Sequence, residues 1–479
     1  MGDGSDGIDG GGDGGGGGSD GRGGSRRATV LLPTGSGKTA VGLWVVESLL
    51  AVAPERAALV CALTLPLIDQ TLAAYRRESC AVAEGRTRLL VVASKCASAA
   101  CTTEPRTIAR FLAEGQRADG EGSIVLSTYD SLKQVARAEL LLSRLERMRR
   151  RRAAEPSFGV CVFDEAHCMA GRGRKFALGL DDARLRLPRR LFLTGTPRRY
   201  SAAAQRDGAA QDDSPAVVRS MDDAASFGRV AYRMSHQQGV DAGVVVGLRL
   251  LVYNASKEYA QHVARNPEFA VAAGAANVPR DEAEMVVALS AAMADHGLSN
   301  AFSFHATVAA AKGFCAALKA LLPLLQEEPA EASCVWGAMP AAKRAAALAS
   351  ARAAPRSVVT NPHLLATGVD APDVDLVLLA SPRQSHVQIL QMGGRATRVA
   401  EGKRHGHVLL PVRAAAGSDG GFALDDGSYE TALSVLQAVP ARRDWSARRC
   451  AFRARRAAAG VGSARLVCPS AALLRAMVT

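Results

Sequence analysis

A seven-residue segment, Pro33-Thr34-Gly35-Ser36-Gly37-Lys38-Thr39, sits between an apolar run at 28–32 and an amphipathic helical stretch at 38–52. A strand that feeds a helix through so tight a turn needs glycine, the residue that reaches positive φ without a Cβ penalty. In such a turn successive backbone N–H groups point inward and cradle phosphate oxygens, and the helix N-terminus adds its dipole. The segment therefore implies an open α/β sheet with an anion site at its carboxyl edge. The fuller pattern GxxxxGK[ST] places a glycine where Leu32 stands, so the loop departs from it while keeping the Gly-Lys-Thr end. Thr34, Gly35, Ser36 and Gly37 would line the phosphates of ATP. Lys38 would reach the β- and γ-phosphates, and Thr39 would offer its hydroxyl to Mg2+. The competing reading is an ordinary Gly-rich turn, which the strand in front and the Gly-Lys-Thr behind argue against.

The rest of the chain alternates short apolar runs with helical stretches. Strands are expected at 28–32, 57–63, 89–93, 124–127, 159–163 and 190–194, with crossover helices at 38–52, 68–78 and 131–149. A second series has strands at 244–252, 300–304, 333–336, 357–360, 374–379 and 407–410, with helices at 306–322 and 341–353. Such alternation predicts a mostly parallel sheet flanked by helices, twice over in tandem. The expected divisions are a Gly/Asp-rich tail at 1–26, a first domain at 27–215, a linker at 216–243, a second domain at 244–415 and an Arg-rich, mainly helical extension at 416–479. Residues 1–24 hold 14 glycines and five aspartates, too little apolar surface to fold on, and are expected to be disordered.

Another signal lies at the end of the 159–163 run, where Asp164-Glu165-Ala166-His167 follows. Two adjacent carboxylates at the carboxyl end of a buried strand fall beside the phosphate loop. Asp164 would hold Mg2+, and Glu165 would act on the attacking water as general base.

The net charge of +13 suits a polyanionic partner, although 50 arginines among the 59 basic residues also fit a plain compositional drift. The ten cysteines include no CxxC pair, which points to reduced thiols in an intracellular compartment, nucleus or cytoplasm, and away from a disulfide scaffold or zinc site. No apolar run is expected to reach the roughly 18 residues that span a bilayer, and the acidic, Gly-rich start is unlike a signal peptide. No membrane partner is expected, and the oligomeric state is left open.

Together the loop and the acidic strand end resemble superfamily 2 helicases of the DEAD/DEAH-box type, in the branch that includes the motor subunits of type I and type III restriction enzymes. The likeness covers about 28–411, and further motifs follow in the family's order. Thr64, in Ala-Leu-Thr-Leu-Pro, is similar to motif Ia, and Ser127 and Thr128, in Ser-Thr-Tyr-Asp-Ser-Leu, to motif Ib. The resemblance implies that these hydroxyls meet the phosphates of a bound strand, although a hydroxyl before a helix is also the usual N-cap. Thr194-Gly195-Thr196-Pro197 looks like motif III, which implies coupling roles for Thr194 and Thr196. Gly195 stands where the family usually has Ala and is expected to loosen that coupling. His305 lies in a stretch similar to motif IV and reads equally as structural or functional.

Ala366-Thr367-Gly368-Val369-Asp370 resembles motif V. It implies Thr367 and Gly368 at the nucleic-acid backbone, with Gly368 and Asp370 bordering the ATP cleft. Gln391-Met-Gly-Gly394-Arg395-Ala-Thr-Arg398 matches motif VI. The two arginines, three apart on one helical face, would reach the γ-phosphate, and Gln391 would sense it or its water. Where the family carries an adenine-reading segment ahead of the loop, this chain has its Gly/Asp tract, so the first domain is expected to lack an element.

The function so implied is an ATP- and Mg2+-dependent helicase or translocase, with DNA favoured over RNA as its track. Two alternatives stand beside it: a duplex translocase that separates no strands, and a nucleic-acid-binding module of weak catalysis. Two basic segments, 144–152 with six arginines and 442–456 with seven beside Trp445 and Phe452, suit single strands or simply solvated helix faces.

Overall fold

A computed structural model describes residues 26–96, 100–116, 122–148, 156–171, 176–200, 218–326, 330–362, 371–381, 386–412, 414–416 and 422–424. The N-terminal tract, Thr367, Gly368 and Asp370, the arginines at 149–152 and the segment 442–456 lie outside these residues.

Among the described residues, the first sheet has eight strands: β1 (Arg26–Leu31), β2 (Ala57–Ala62), β3 (Thr87–Val92), β4 (Cys101–Thr102), β5 (Gly122–Thr128), β6 (Phe158–Asp164), β7 (Arg189–Thr194) and β8 (Arg229–Arg233). They are ordered β4-β3-β5-β2-β6-β7-β1-β8 and all pair in parallel. Parallel pairing brings every strand's carboxyl end to one edge, and the order makes β6, β7 and β1 neighbours there. Period-two side-chain alternation splits the strands between two cores. Leu59 and Cys61 pack on one face with Ile108 of α4 (Pro105–Gly115, α3 being Cys80–Ala83) and Val135 of α5 (Leu132–Met148). Ala58, Val60 and Ala62 pack on the other with Leu43 and Val46 of α1 (Lys38–Leu50) and Leu72 of α2 (Leu65–Glu78). Both faces being buried explains why these strands read as continuous apolar runs.

The second sheet has six strands among the described residues: β9 (Gly247–Asn254), β10 (Asn300–Phe304), β11 (Glu331–Cys334), β12 (Ser357–Asn361), β13 (Leu376–Leu379) and β14 (His405–Val412), in the order β11-β12-β10-β13-β14-β9. Its pairs are also parallel. Leu376 and Leu378 face one core, and Val377 and Leu379 the other. The two tandem parallel sheets flanked by helices are those expected.

Three features differ from the expectation. The stretch read as a linker contains β8, which extends the first sheet beside β1. All five β8 side chains are exposed, so the strand is held by edge pairing of its backbone and carries no hydropathy signal. A helical segment that the sequence reading did not anticipate, including Arg280–His296, lies between β9 and β10. The helix Val308–Leu325 is, by length and composition, apolar enough to cross a membrane, contrary to expectation. In this fold Phe314, Leu318, Leu321 and Leu322 of that helix fill the core of the second sheet, and its apolar length is that of a core helix.

Candidate active site

The phosphate loop leaves β1 and enters α1 through two glycines in left-handed conformation, Gly35 (φ 89°) and Gly37 (φ 87°). Gly37 is the N-cap of α1 and no side chain caps that helix, so no side chain competes for the first-turn N–H groups. Ser36 Oγ donates to the Pro33 carbonyl at 2.8 Å and ties the loop to its own start. Lys38 is buried, with Nζ 3.5 Å from the Pro33 carbonyl oxygen and 3.9 Å from Glu165 Oε1. Thr39 is half-buried in the first turn of the same helix.

Asp164 ends β6 and Glu165 opens the following turn at φ 52°, ψ 44°. A non-glycine residue in that region costs about 1 kcal/mol and persists where the surroundings dictate it. Here the Glu165 N–H donates to Asp164 Oδ1 at 2.9 Å. The two carboxylates are driven apart in acidity. Burial and the charge of Glu165 raise Asp164 to about 6 against the pull of Lys38. Burial would raise Glu165 as well, but the Lys38 ammonium, His167 and Arg395 outweigh it and hold the group at about 2. A carboxylate destabilised by burial and a like charge is one that a divalent cation relieves. Mg2+ commonly takes one or two protein ligands and substrate phosphates for the remainder. Asp164 and the Thr39 hydroxyl suit that ion.

His167, absent from the sequence-derived site residues, is the meeting point of three segments. Its Nδ1 lies 3.1 Å from Thr194 Oγ1, 3.3 Å from Glu165 Oε2 and 3.4 Å from Thr196 Oγ1. Its Nε2 lies 3.1 Å from Gln391 Nε2 of the second domain. A tautomer with the proton on Nδ1 satisfies both sides: Nδ1–H donates toward the first domain and Nε2 accepts from the Gln391 amide. Thr194 Oγ1 also accepts from the Thr196 N–H at 3.1 Å. The sequence signal was present, since His167 closes the acidic run, but its partners are far away in the chain.

Gly195 is a point of close approach. A methyl group there would lie 2.7 Å from the Leu32 carbonyl oxygen and 3.2 Å from Thr34 N, so glycine lets the turn after β7 rest on the phosphate loop. From the other side comes the helix α13 (His386–Ala396; α6 to α12 being Ala224–Phe227, His236–Asp241, Ala255–Arg265, Pro267–Ala275, Arg280–His296, Val308–Leu325 and Ala341–Ala353). A methyl group at Gly394 would lie 2.6 Å from Thr34 Cβ. Thr397 Oγ1 donates to the Gly394 carbonyl at 3.1 Å and lies 3.5 Å from the Thr34 carbonyl oxygen. Arg395 is buried in the last turn of α13, and its charge acts on Glu165. Arg398 falls beyond the end of the helix, so the two arginines do not share one helical face as expected. A Cβ built on Gly35 would nonetheless stand 3.1 Å from Arg398 Cγ, which places that side chain over the phosphate loop.

The three hydroxyls expected at a bound strand fare differently. Thr64 is half-buried and caps α2, accepting from the Leu67 N–H at 3.4 Å. Ser127 is fully buried and donates to the Thr128 carbonyl at 3.0 Å. No strand can reach it in this conformation, which corrects its assignment. Thr128 is buried too and caps the turn Tyr129–Ser131, accepting from the Ser131 N–H at 3.2 Å. His305 is buried, 2.7 Å from Ser303 Oγ through Nε2, and packs on Phe314 at 5.0 Å, a packing role.

Residues 21–199 match the family described as "Type III restriction enzyme, res subunit", and residues 288–400 match "Helicase conserved C-terminal domain". No curated protein matches by sequence. Among solved structures, the chain is similar to the ATP-dependent Type ISP restriction-modification enzyme LlaBIII bound to DNA, at 22% identity and TM-score 0.66, over 86% of this chain and 28% of that one. It is also similar to a nuclease-deletion mutant of the Type ISP enzyme LlaGI in complex with a DNA substrate mimic, at 19% identity and TM-score 0.57, over 86% and 27%. The chain thus spans little more than a quarter of the length of either enzyme.

Proposed function

From a chain that carries the two domains of a superfamily 2 helicase and resembles restriction-enzyme motor subunits, we propose an ATP-hydrolysing motor that moves along nucleic acid, DNA in preference to RNA. One observation carries this reading. Lys38, Asp164 and Glu165 of the first domain lie together, and the second domain brings Gln391 to the adjoining His167, the charge of Arg395 to Glu165 and Arg398 to the phosphate loop.

The residues divide the work as follows. Thr34, Gly35, Ser36 and Gly37 shape the loop, and its main-chain N–H groups hold phosphate oxygens. Bound Mg2+, held by Thr39 and Asp164, would neutralise charge on the β- and γ-phosphate oxygens. Lys38, drawn to those phosphates, would release Glu165 from its strongest favourable partner. The carboxylate then regains basicity and orients the attacking water. In the present arrangement Lys38 holds the group below its ordinary value, and positioning dominates phosphoryl transfer in any case. Arg395 and Arg398 stabilise charge that develops on the transferred group. His167 passes the state of this site to Thr194 and Thr196 on one side and to Gln391 on the other. Thr64 stands at the carboxyl end of β2, along the same edge as the nucleotide residues, and would meet strand phosphates there; the assignments of Thr367, Gly368 and Asp370 rest on the motif alone. Contacts to phosphates imply little sequence preference and a steep salt dependence.

The test is the ATPase rate of the wild type and of Glu165→Gln, without nucleic acid, with single-stranded DNA and with RNA. Stimulation by one polymer, lost in the variant, is the expected result. A folded wild type that turns over no ATP under any of these conditions would sink the motor reading in favour of a binding module.

A further inference from the structure

A buried side chain outside the nucleotide site joins the end of β5 to the turn that carries Glu165. Tyr129 directly follows Thr128 and is 2% exposed. Its hydroxyl donates to the main-chain carbonyl of Asp164 at 2.8 Å. Its ring stacks on Phe163, with centroids 6.0 Å apart and planes at 27°, and meets Phe176 edge-on at 5.5 Å. That carbonyl belongs to the peptide joining Asp164 to Glu165. The N–H of the same peptide donates to Asp164 Oδ1. Both polar groups of the peptide are therefore tied down, the N–H by a carboxylate assigned to the metal and the carbonyl by a phenol from the turn after β5. Only the second tie survives if the carboxylate turns toward a cation. The peptide plane in turn sets the left-handed Glu165 and so the direction of its side chain.

The other end of Tyr129 is a compact turn. The Thr128 hydroxyl lies 2.9 Å from Ser131 Oγ and accepts from the Ser131 N–H, which makes Tyr129–Ser131 a closed 3-10 turn. Asp130 and Lys133 on and just after that turn are exposed at the carboxyl edge of the sheet, on the side where Thr64 caps its helix. A turn held so tightly moves as a unit, and a displacement at its surface is felt by the phenol inside.

We propose that Tyr129 is a positioning residue: it transmits strand binding at the carboxyl ends of β2 and β5 to the peptide that orients Glu165. This is a second route beside the one through Thr194, Thr196 and His167, and it reaches Glu165 from the other side of β6, past β2 from the end of β5. The proposal rests on the motor reading above.

The experiment compares the full-length wild type with Tyr129→Phe, which keeps the ring and deletes the hydroxyl, titrating oligo-dT at saturating ATP. The ratio of stimulated to basal kcat is expected to fall about tenfold, equivalent to ~1.4 kcal/mol, which lies within the worth of one buried hydrogen bond. KM for ATP and the half-saturating oligo-dT concentration should stay within about twofold, since neither ligand touches the phenol. Phe176→Leu serves as a packing control: it should lower the melting temperature and leave the ratio alone. A stimulated wild type with an unchanged ratio in Tyr129→Phe overturns this proposal alone, as does an equal loss of ratio in Phe176→Leu. A wild type that turns over ATP with no stimulation by DNA or RNA overturns the motor reading together with it.

Discussion

Replacing Gly195 by alanine would restore the residue usual in the helicase family, and the structure nevertheless makes it a damaging change. The added methyl group would sit 2.7 Å from the Leu32 carbonyl oxygen, 3.2 Å from Thr34 N and 3.4 Å from the Pro33 carbonyl carbon. All three neighbours are backbone, and no side-chain rotamer can make room. Either the turn after β7 or the phosphate loop must shift. Overpacking of this kind costs about 1–3 kcal/mol. Loss of glycine's freedom in the unfolded chain returns about 0.4–1 kcal/mol. The net is a destabilisation of about 1–2 kcal/mol. For a domain of this size that lowers the melting temperature by roughly 2–8 °C. A shifted phosphate loop should also raise KM for ATP. Thermal unfolding of Gly195→Ala beside the wild type, followed by ATP titration of the ATPase, measures both. An unchanged or higher melting temperature with unchanged KM would refute the idea that glycine at this position exists for close approach.

Three further outcomes follow from particular contacts. Arg190, buried at 2% exposure, donates to the carbonyls of Gly179, Leu187 and Leu185 and pairs with Asp182. Arg190→Met strands three acceptors and should cost about 3 kcal/mol in urea unfolding, at about 1 kcal/mol each; a loss below a third of that would mean the carbonyls find water. Glu139 is buried and raised by that burial to about 7 from 4.5. Its folded form holds a proton that the unfolded chain releases earlier, so stability is lost as pH rises from about 4.5 to about 7, by about 3 kcal/mol in all. Glu139→Gln keeps an acceptor for the Arg186 N–H and should raise the melting temperature at pH 8 but hardly at pH 5; an equal gain at both would show that charge is not the cause. Gln391→Ala removes the contact with His167 across the domains and should lower stimulated kcat about fivefold, the rate equivalent of one hydrogen bond of ~1 kcal/mol, a result that an unchanged kcat would contradict.

Much of the architecture was legible because local chemistry dictates it. Runs such as 57–63 and 159–163 are apolar throughout, since both faces of a parallel sheet are covered. The turn Pro33-Thr-Gly-Ser-Gly-Lys-Thr declares its left-handed glycines. The strand β8 was not legible, because an edge strand with every side chain in solvent shows neither period. The Ser127 assignment failed for a related reason: a hydroxyl at a strand end reads the same whether it faces solvent or the core, and here it faces the core.

Local chemistry therefore sets the inventory and its order along the chain: two α/β units, a phosphate loop, an acidic strand end and an Arg-bearing helix. Each depends on interactions within a few residues. Convergence of these parts on one site comes from the folded arrangement. His167 meets Thr194, Thr196 and Gln391, Gly195 and Gly394 close on Thr34 from two sides, and Tyr129 reaches the Asp164 carbonyl. Those partners are brought together by strand order and by the packing of one domain on the other. Such contacts arise between surfaces built from distant parts of the chain, and neither local propensity nor periodicity encodes them.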